Sequence, residues 1–131
     1  MKYLLDTHTF LWFVSGSTEL NQPAINIIKN AKNIIFVSIA SLWEISIKTS
    51  LNKLTISGKY SSVINDVIDN DFEILPINFM HTVIQHKLPF YHRDPFDRIL
   101  ISQAIAENTS IISRDAIFDS YLENETIQRI W

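Results

Sequence analysis

Short apolar runs and helical patterns take turns along the entire chain. "KYLL" (2–5), "NIIFV" (33–37), "FEILPI" (72–77) and "SIIS" (110–113) are strand-like, and "TIQRIW" (126–131) adds a fifth candidate. Between them lie the helical patterns "TFLWFV", "AINIIKNA", "SLWEISIKTSL", "YSSVINDVIDN" and "FMHTVIQHK", and a helix from Pro95 to about Glu107. A strand that is apolar on both sides has to be buried on both sides, which calls for a parallel sheet with helices on each face. The expected fold is therefore α/β: a three-layer α/β/α sandwich with a central parallel sheet of four to five short strands. At 131 residues, with no break in composition to suggest a linker, one domain covering 1–131 is expected.

The helix boundaries carry recognisable chemistry. Asn21 with Pro23, Asn78, and Asp94 with Pro95 read as helix starts. Ser38 or Ser41 starts the helix after the second strand, and Ser41-x-x-Glu44 has the spacing of a capping box. Asn52 and Asn108 follow helix ends, where asparagine tolerates the left-handed conformation that glycine usually supplies. That matters because the chain has only two glycines, Gly16 and Gly58. A P-loop or dinucleotide fingerprint needs several in one tight loop, so most nucleotide-cofactor enzymes are excluded. No Gly-x-Ser-x-Gly elbow is present, which argues against a serine hydrolase.

No apolar run approaches the roughly 18 residues of a membrane span, and Asp6 interrupts the apolar start before a signal-peptide core can form. With no cysteine there is no disulfide framework and no thiolate metal site, and the expectation is a soluble, cytoplasmic protein. The formal net charge of -3 argues against a broadly basic nucleic-acid surface. Yet Arg93, Arg98 and Arg114 each lie within three residues of an aspartate. Ordinary ion pairing, such as Asp94 with Arg98, explains this as well as steering of a phosphate backbone does.

Ligands of an open parallel sheet bind beyond the carboxyl ends of its strands. Asp6 directly follows the first strand, Asp115 comes just after the fourth, and Glu44 lies early in the helix after the second. Asp97 stands in the first turn of the helix leading to the fourth strand. Singly, each acid has an ordinary explanation: Asp97 as complement to the helix dipole, Glu44 as partner of Lys48 or Ser41, Asp6 and Asp115 as turn residues. Four carboxylates on one rim, however, repel unless something positive is present. Oxygen-only ligation points to a hard divalent cation, Mg²⁺ first and Mn²⁺ second, which could also recruit phosphate to an acidic rim. Asp94 is assigned to capping and Asp119 to a supporting or surface role.

"LLDTHTFLW" (4–12), "SIASLWEISIK" (38–48), "HRDPFDRILISQA" (92–104) and "IISRDAIFDSY" (111–121) together resemble a PIN-domain protein, and within that group the VapC-type toxins of bacterial toxin–antitoxin pairs. The four motifs lie in the family's order and span nearly the whole chain. The resemblance implies a metal-dependent endoribonuclease whose catalytic, metal-binding acids are Asp6, Glu44, Asp97 and Asp115. It also implies a small cognate antitoxin partner and commonly a homodimer. Lys48, Arg93, Arg98 and Arg114 are the expected contacts to the RNA backbone.

Two other classes fit less well. A phosphoacceptor receiver wants paired acids after the first strand and an acceptor aspartate after the third, whereas Asp6 stands alone and the third strand ends "ILPIN". A haloacid-dehalogenase-type phosphatase needs Asp-x-Asp where this chain has "DTH". A catalytically silent binding module on the same fold remains the alternative. His8, His81, His86 and His92 lack helical metal-ligand spacing and are expected as surface or satisfied core groups. Trp12, Trp43, Phe90, Tyr91 and Trp131 are expected mostly in the core, with an interface as the other possibility.

Overall fold

The computed structural model describes residues 1–131. Five strands form one fully parallel sheet: β1 (Lys2–Leu5), β2 (Ile34–Ser38), β3 (Glu73–Leu75), β4 (Ser110–Ile112) and β5 (Arg129–Ile130). Their order across the sheet is β3-β2-β1-β4-β5. The chain winds outward from β1 to β3 and then returns to place β4 on the other side of β1. The β1–β4 seam is therefore the point where the winding reverses, and such a sheet opens a crevice there.

Seven α-helices cover the sheet: α1 (Thr7–Ser15), α2 (Gln22–Lys29), α3 (Ile39–Ser50), α4 (Val63–Asp69), α5 (Phe79–Lys87), α6 (Pro95–Ala106) and α7 (Ile117–Leu122). The pleat sorts each strand between two cores. Tyr3, Leu5, Val37 and Ile112 pack with Phe10 of α1, Ala24 and Ile28 of α2, and Val63 and Val67 of α4. Leu4 and Ile111 pack on the opposite face with Leu100, Ile101 and Ala104 of α6 and Phe118 of α7. Helix α3 serves both, with Ile45 in the first cluster and Ala40 in the second. No helix is long and apolar enough to cross a membrane.

The caps explain most boundaries. Asn21, Ser38, Asn78 and Asp94 each accept a backbone N–H from the first turn of their helix, and Pro95 fills the first position of α6. Ser38, not Ser41, starts α3, so no capping box forms with Glu44. Strand β3 is shorter than "FEILPI" suggests, stopping at Leu75 because Pro76 has no N–H for the ladder. Helix α7 has no side-chain cap at Ala116 and leaves little trace in the sequence.

Asn52 (φ 56) and Asn108 (φ 49) take the left-handed conformation, as does Asp71 (φ 57) after α4. Replacing Asn52 by Ala is expected to lower stability by about 1 kcal/mol, because a Cβ-bearing residue without a local hydrogen bond is strained there. Urea denaturation against wild type measures this.

Candidate metal centre

Asp6 leaves the carboxyl end of β1 and caps α1. Its backbone N–H donates to Ile112 O of β4 at 3.2 Å, which ties it to the reversal seam, and Thr9 N–H donates to its Oδ1 at 2.7 Å. It is only 7% exposed. Burial pushes its carboxyl up from the usual range, against hydrogen bonds from Ser113 and Thr9. Asp115 follows β4, takes Ile117 N–H on Oδ1 at 3.0 Å and is more exposed than Asp6. Thr7 Oγ1 donates to Ser41 Oγ at 2.9 Å and Thr9 Oγ1 to Ile112 O at 3.0 Å, locking α1 onto α3 and β4 beneath the rim.

Glu44 is buried on α3. Lys48, one turn on, donates to Oε2 at 2.6 Å, while Oε1 is buried without any hydrogen-bond partner. A buried carboxylate oxygen left unpaired carries a desolvation cost that a ligand can relieve. The contact with Glu44 raises the pKa of Lys48 despite partial burial.

Asp97 is the electrostatic centre. Burial first, then the charges of Asp94, Asp6, Glu44 and Asp115, push its carboxyl up to about 8. Three segments far from Asp97 in sequence, carrying Asp6, Glu44 and Asp115, thus bring their acids within electrostatic reach of it, alongside Asp94 from its own segment. At neutral pH the protein alone keeps a proton where a cation would be favoured. Oxygen donors, mutual repulsion and the orphaned Glu44 Oε1 together suit a hard divalent ion.

The tightest grouping includes a residue that sequence reasoning missed. His92, Asp97 and Asp115 each offer an atom within 4.8 Å of the others. His92 Nε2 lies 2.9 Å from Asp97 Oδ2 and 3.8 Å from Asp115 Oδ2. The backbone N–H of Asp94 donates to His92 Nδ1 at 3.2 Å. That bond fixes the tautomer, leaving the proton on Nε2 and making His92 a donor to Asp97 rather than a free ligand atom. Helical His spacing could not reveal this, because His92 is on a loop and its partners come from tertiary structure.

Arg98 corrects a sequence-based expectation. It neither pairs with Asp94 nor reaches the surface to meet RNA, being only 2% exposed. Its Nη1 donates to Pro89 O, His92 O and Tyr121 Oη, and its Nη2 to Gln85 O and Leu88 O. Phe90 lids the guanidinium, with its ring centroid 4.1 Å from Cζ. The backbone N–H of His92 donates to Tyr121 Oη at 2.7 Å. Arg98 and Tyr121 therefore shape the loop that aims His92 at the acids.

The remaining expectations separate cleanly. Arg93 is exposed at the entrance to α6, and Arg114 pairs with Glu19. Asp119 makes a two-pronged pair with Arg129 at 2.9 and 3.0 Å, which lowers its pKa, and stands apart from the cluster. His81 is buried, closes the α5 capping box with Asn78 and meets Glu107 at 2.9 Å, whereas His8 and His86 are exposed. Trp43, Phe90 and Tyr91 are exposed rather than in the core, while Trp12 and Trp131 are half-buried.

A parallel sheet with carboxylates gathered at its reversal seam defines an acidic-site α/β protein. The PIN domain family model matches residues 3–123, and the chain belongs to the PIN-domain family. No curated protein matches the sequence. Among solved structures, the chain is similar to VapBC2 from Rickettsia felis bound to a DNA fragment from their promoter (18% identity, 99% and 98% of the two chains covered, TM-score 0.70). It is also similar to DNA-bound VapBC from Salmonella typhimurium (14%, 99% and 97%, TM-score 0.68). FitAcB from Neisseria gonorrhoeae follows at 15% identity, 98% and 96% coverage and a TM-score of 0.63.

Proposed function

We propose that this chain is a metal-dependent endoribonuclease, the toxin half of a VapC-type toxin–antitoxin pair, acting in the cytoplasm as a single domain. The observation that carries the reading is that Asp97 and Asp115 offer ligand atoms within 4.8 Å of each other while Asp6 and Glu44 lie near enough for their charges to act on Asp97. Likeness to complexes named VapBC and FitAcB supports a small protein partner of the antitoxin kind. A homodimer is part of the same proposal.

The four acids would hold Mg²⁺, or Mn²⁺ in its place. When bound, such an ion supplies Lewis acidity toward a phosphoryl oxygen and makes water easier to deprotonate. The protein's own groups set the geometry. Thr9 N–H holds one oxygen of Asp6, Ile117 N–H one of Asp115, His92 one of Asp97, and Lys48 one of Glu44. Ligating carboxylates work best when anchored in this way. Glu44, whose Oε1 has no partner, would either bind the ion or orient the attacking water. Arg93, which is exposed, and Lys48, which is partly so, would meet the RNA backbone.

One observation favours a silent binding module: Lys48 and His92 pair directly with Glu44 and Asp97. The partnerless buried oxygen of Glu44 and the crowding of Asp97 by neighbouring carboxylates weigh toward the metal centre. RNA incubated with the purified chain is expected to be cut in Mg²⁺ or Mn²⁺ and left intact in excess chelator. Intact RNA under both conditions would end the nuclease reading.

A further inference from the structure

We propose that the cleft formed by Asp6, His8, Trp12, Arg114 and Asp115 is a stacking subsite for one unpaired nucleobase of a single-stranded RNA, beside the phosphate to be cut. The proposal rests on the ribonuclease reading above. The cleft has a volume of about 330 Å³, and two of its five lining residues belong to the acid cluster. Whatever occupies it is therefore in contact with the wall of the metal centre.

Its other wall is built from side chains already in contact. The Arg114 guanidinium lies over the Trp12 ring, Cζ being 4.5 Å from the centroid, and Glu19 tethers Nη1. Trp12 is itself braced by His8 at 5.5 Å and Trp131 at 6.0 Å between ring centroids. It also packs against the core cluster that contains Phe10. An exposed arginine ordinarily samples many rotamers. Here cation–π contact with Trp12 and a carboxylate tether to Glu19 restrain the guanidinium over the indole.

That arrangement selects a ligand. A cation meant only to attract phosphate gains nothing from being held over an indole, and its charge is already offset by Glu19. A guanidinium plane backed by an aromatic ring is a stacking surface for a base. Only a base with an exposed face can use it. In a duplex both faces are covered by neighbouring pairs, so the cleft favours unpaired RNA.

The test uses the full chain with Mn²⁺ and a short RNA spanning the wild-type cut position. KM and kcat are measured for wild type, Arg114→Ala and Arg114→Lys, with RNAs carrying an abasic nucleotide at each position flanking the cut. Quenching of tryptophan fluorescence by the same RNAs in chelator reports binding independently of cleavage. Both variants are expected to raise KM by roughly 5- to 100-fold, the range of one lost base stack. One abasic position should reproduce that loss in wild type, and combining it with either variant should add little. If Arg114→Lys restores the wild-type KM, the residue contributes charge alone and the subsite is overturned. Insensitivity to every abasic position, or duplex RNA cut as readily as single strands, also overturns it while leaving the nuclease standing. Absence of any cleavage by wild type removes both.

Discussion

Asp97→Asn is expected to reduce metal-dependent RNA cleavage by roughly 1000-fold while making the metal-free protein more heat-stable at pH 8. The two effects have one origin. Asp97 is crowded by burial and by Asp94, Asp6, Glu44 and Asp115, which raise its pKa from 3.8 to about 8 in the folded protein. Below pH 3.8 the carboxyl is protonated in both folded and unfolded chains, and the crowding carries no charge penalty. Between there and about 8 only the unfolded chain gives up the proton readily, so stability falls as pH rises through that window. Above it both states are ionised and the full repulsion stands. Asparagine is neutral throughout and escapes this loss. The expected gain at pH 8 is about 5 °C or more in Tm, given that one kcal/mol moves a domain of this size by roughly 3–5 °C. The activity loss follows because a neutral amide cannot hold a cation or offset charge in the transition state, a class of deletion worth about 100- to 1000-fold even for a single donor. Scanning calorimetry at pH 5 and pH 8, without metal, measures the first effect. A variant no more stable than wild type at pH 8 would show that Asp97 is not under charge strain.

The second large effect is structural. Replacing Arg98 by Ala leaves the carbonyls of Gln85, Leu88, Pro89 and His92 without the donor that gathers them. A destabilisation of roughly 3–5 kcal/mol is expected, the size seen when one member of a buried charged network is removed. That is a large share of the about 5–15 kcal/mol that holds a domain together. Arg98→Lys should rescue little of it, because one ammonium cannot span acceptors arranged around a planar fork. Urea denaturation gives the total. Hydrogen exchange at residues 85–94 separates loosening of this loop from global unfolding, and should show protection lost there first. Were Arg98→Lys as stable as wild type, the fork geometry would not matter and the loop would owe its shape to something else.

The places where sequence reading succeeded share a property: their determinants are local. Asp94 followed by Pro95 announces a helix start whatever surrounds it, and the short apolar runs announce buried strands. Asn52 and Asn108 mark left-handed helix exits because few other residues tolerate that conformation. The positions of Asp6, Glu44, Asp97 and Asp115 relative to strand ends followed from those boundaries, since a parallel sheet sends all its carboxyl ends to one edge.

What could not be read depended on distant partners. Arg98 looked like a surface cation because its acceptors are backbone carbonyls, and carbonyls carry no sequence signature. His92 was set aside because ligand spacing was sought within a helix, whereas its ring is aimed by Asp94 N–H and the Tyr121 hydroxyl. Tyr121 was invisible for the same reason, and it sits on α7, a helix of six residues with no capping side chain. Aromatic residues at helical spacing usually pack inside, which is why Trp43, Phe90 and Tyr91 are expected there, but Trp43 lies edge-on to Phe96 and Phe90 rests on Arg98, both largely in solvent.

The pairing of β1 with β4 joins residues far apart in sequence, Leu5 opposite Ile112. During synthesis, Asp6 emerges from the ribosome long before the strand that completes its surroundings. A nascent chain, or a fragment made from a broken message, holds the first two acids but has no neighbouring strand to set them against Asp97 and Asp115. A centre that needs all four acids is therefore assembled only once β4 has been made and paired with β1.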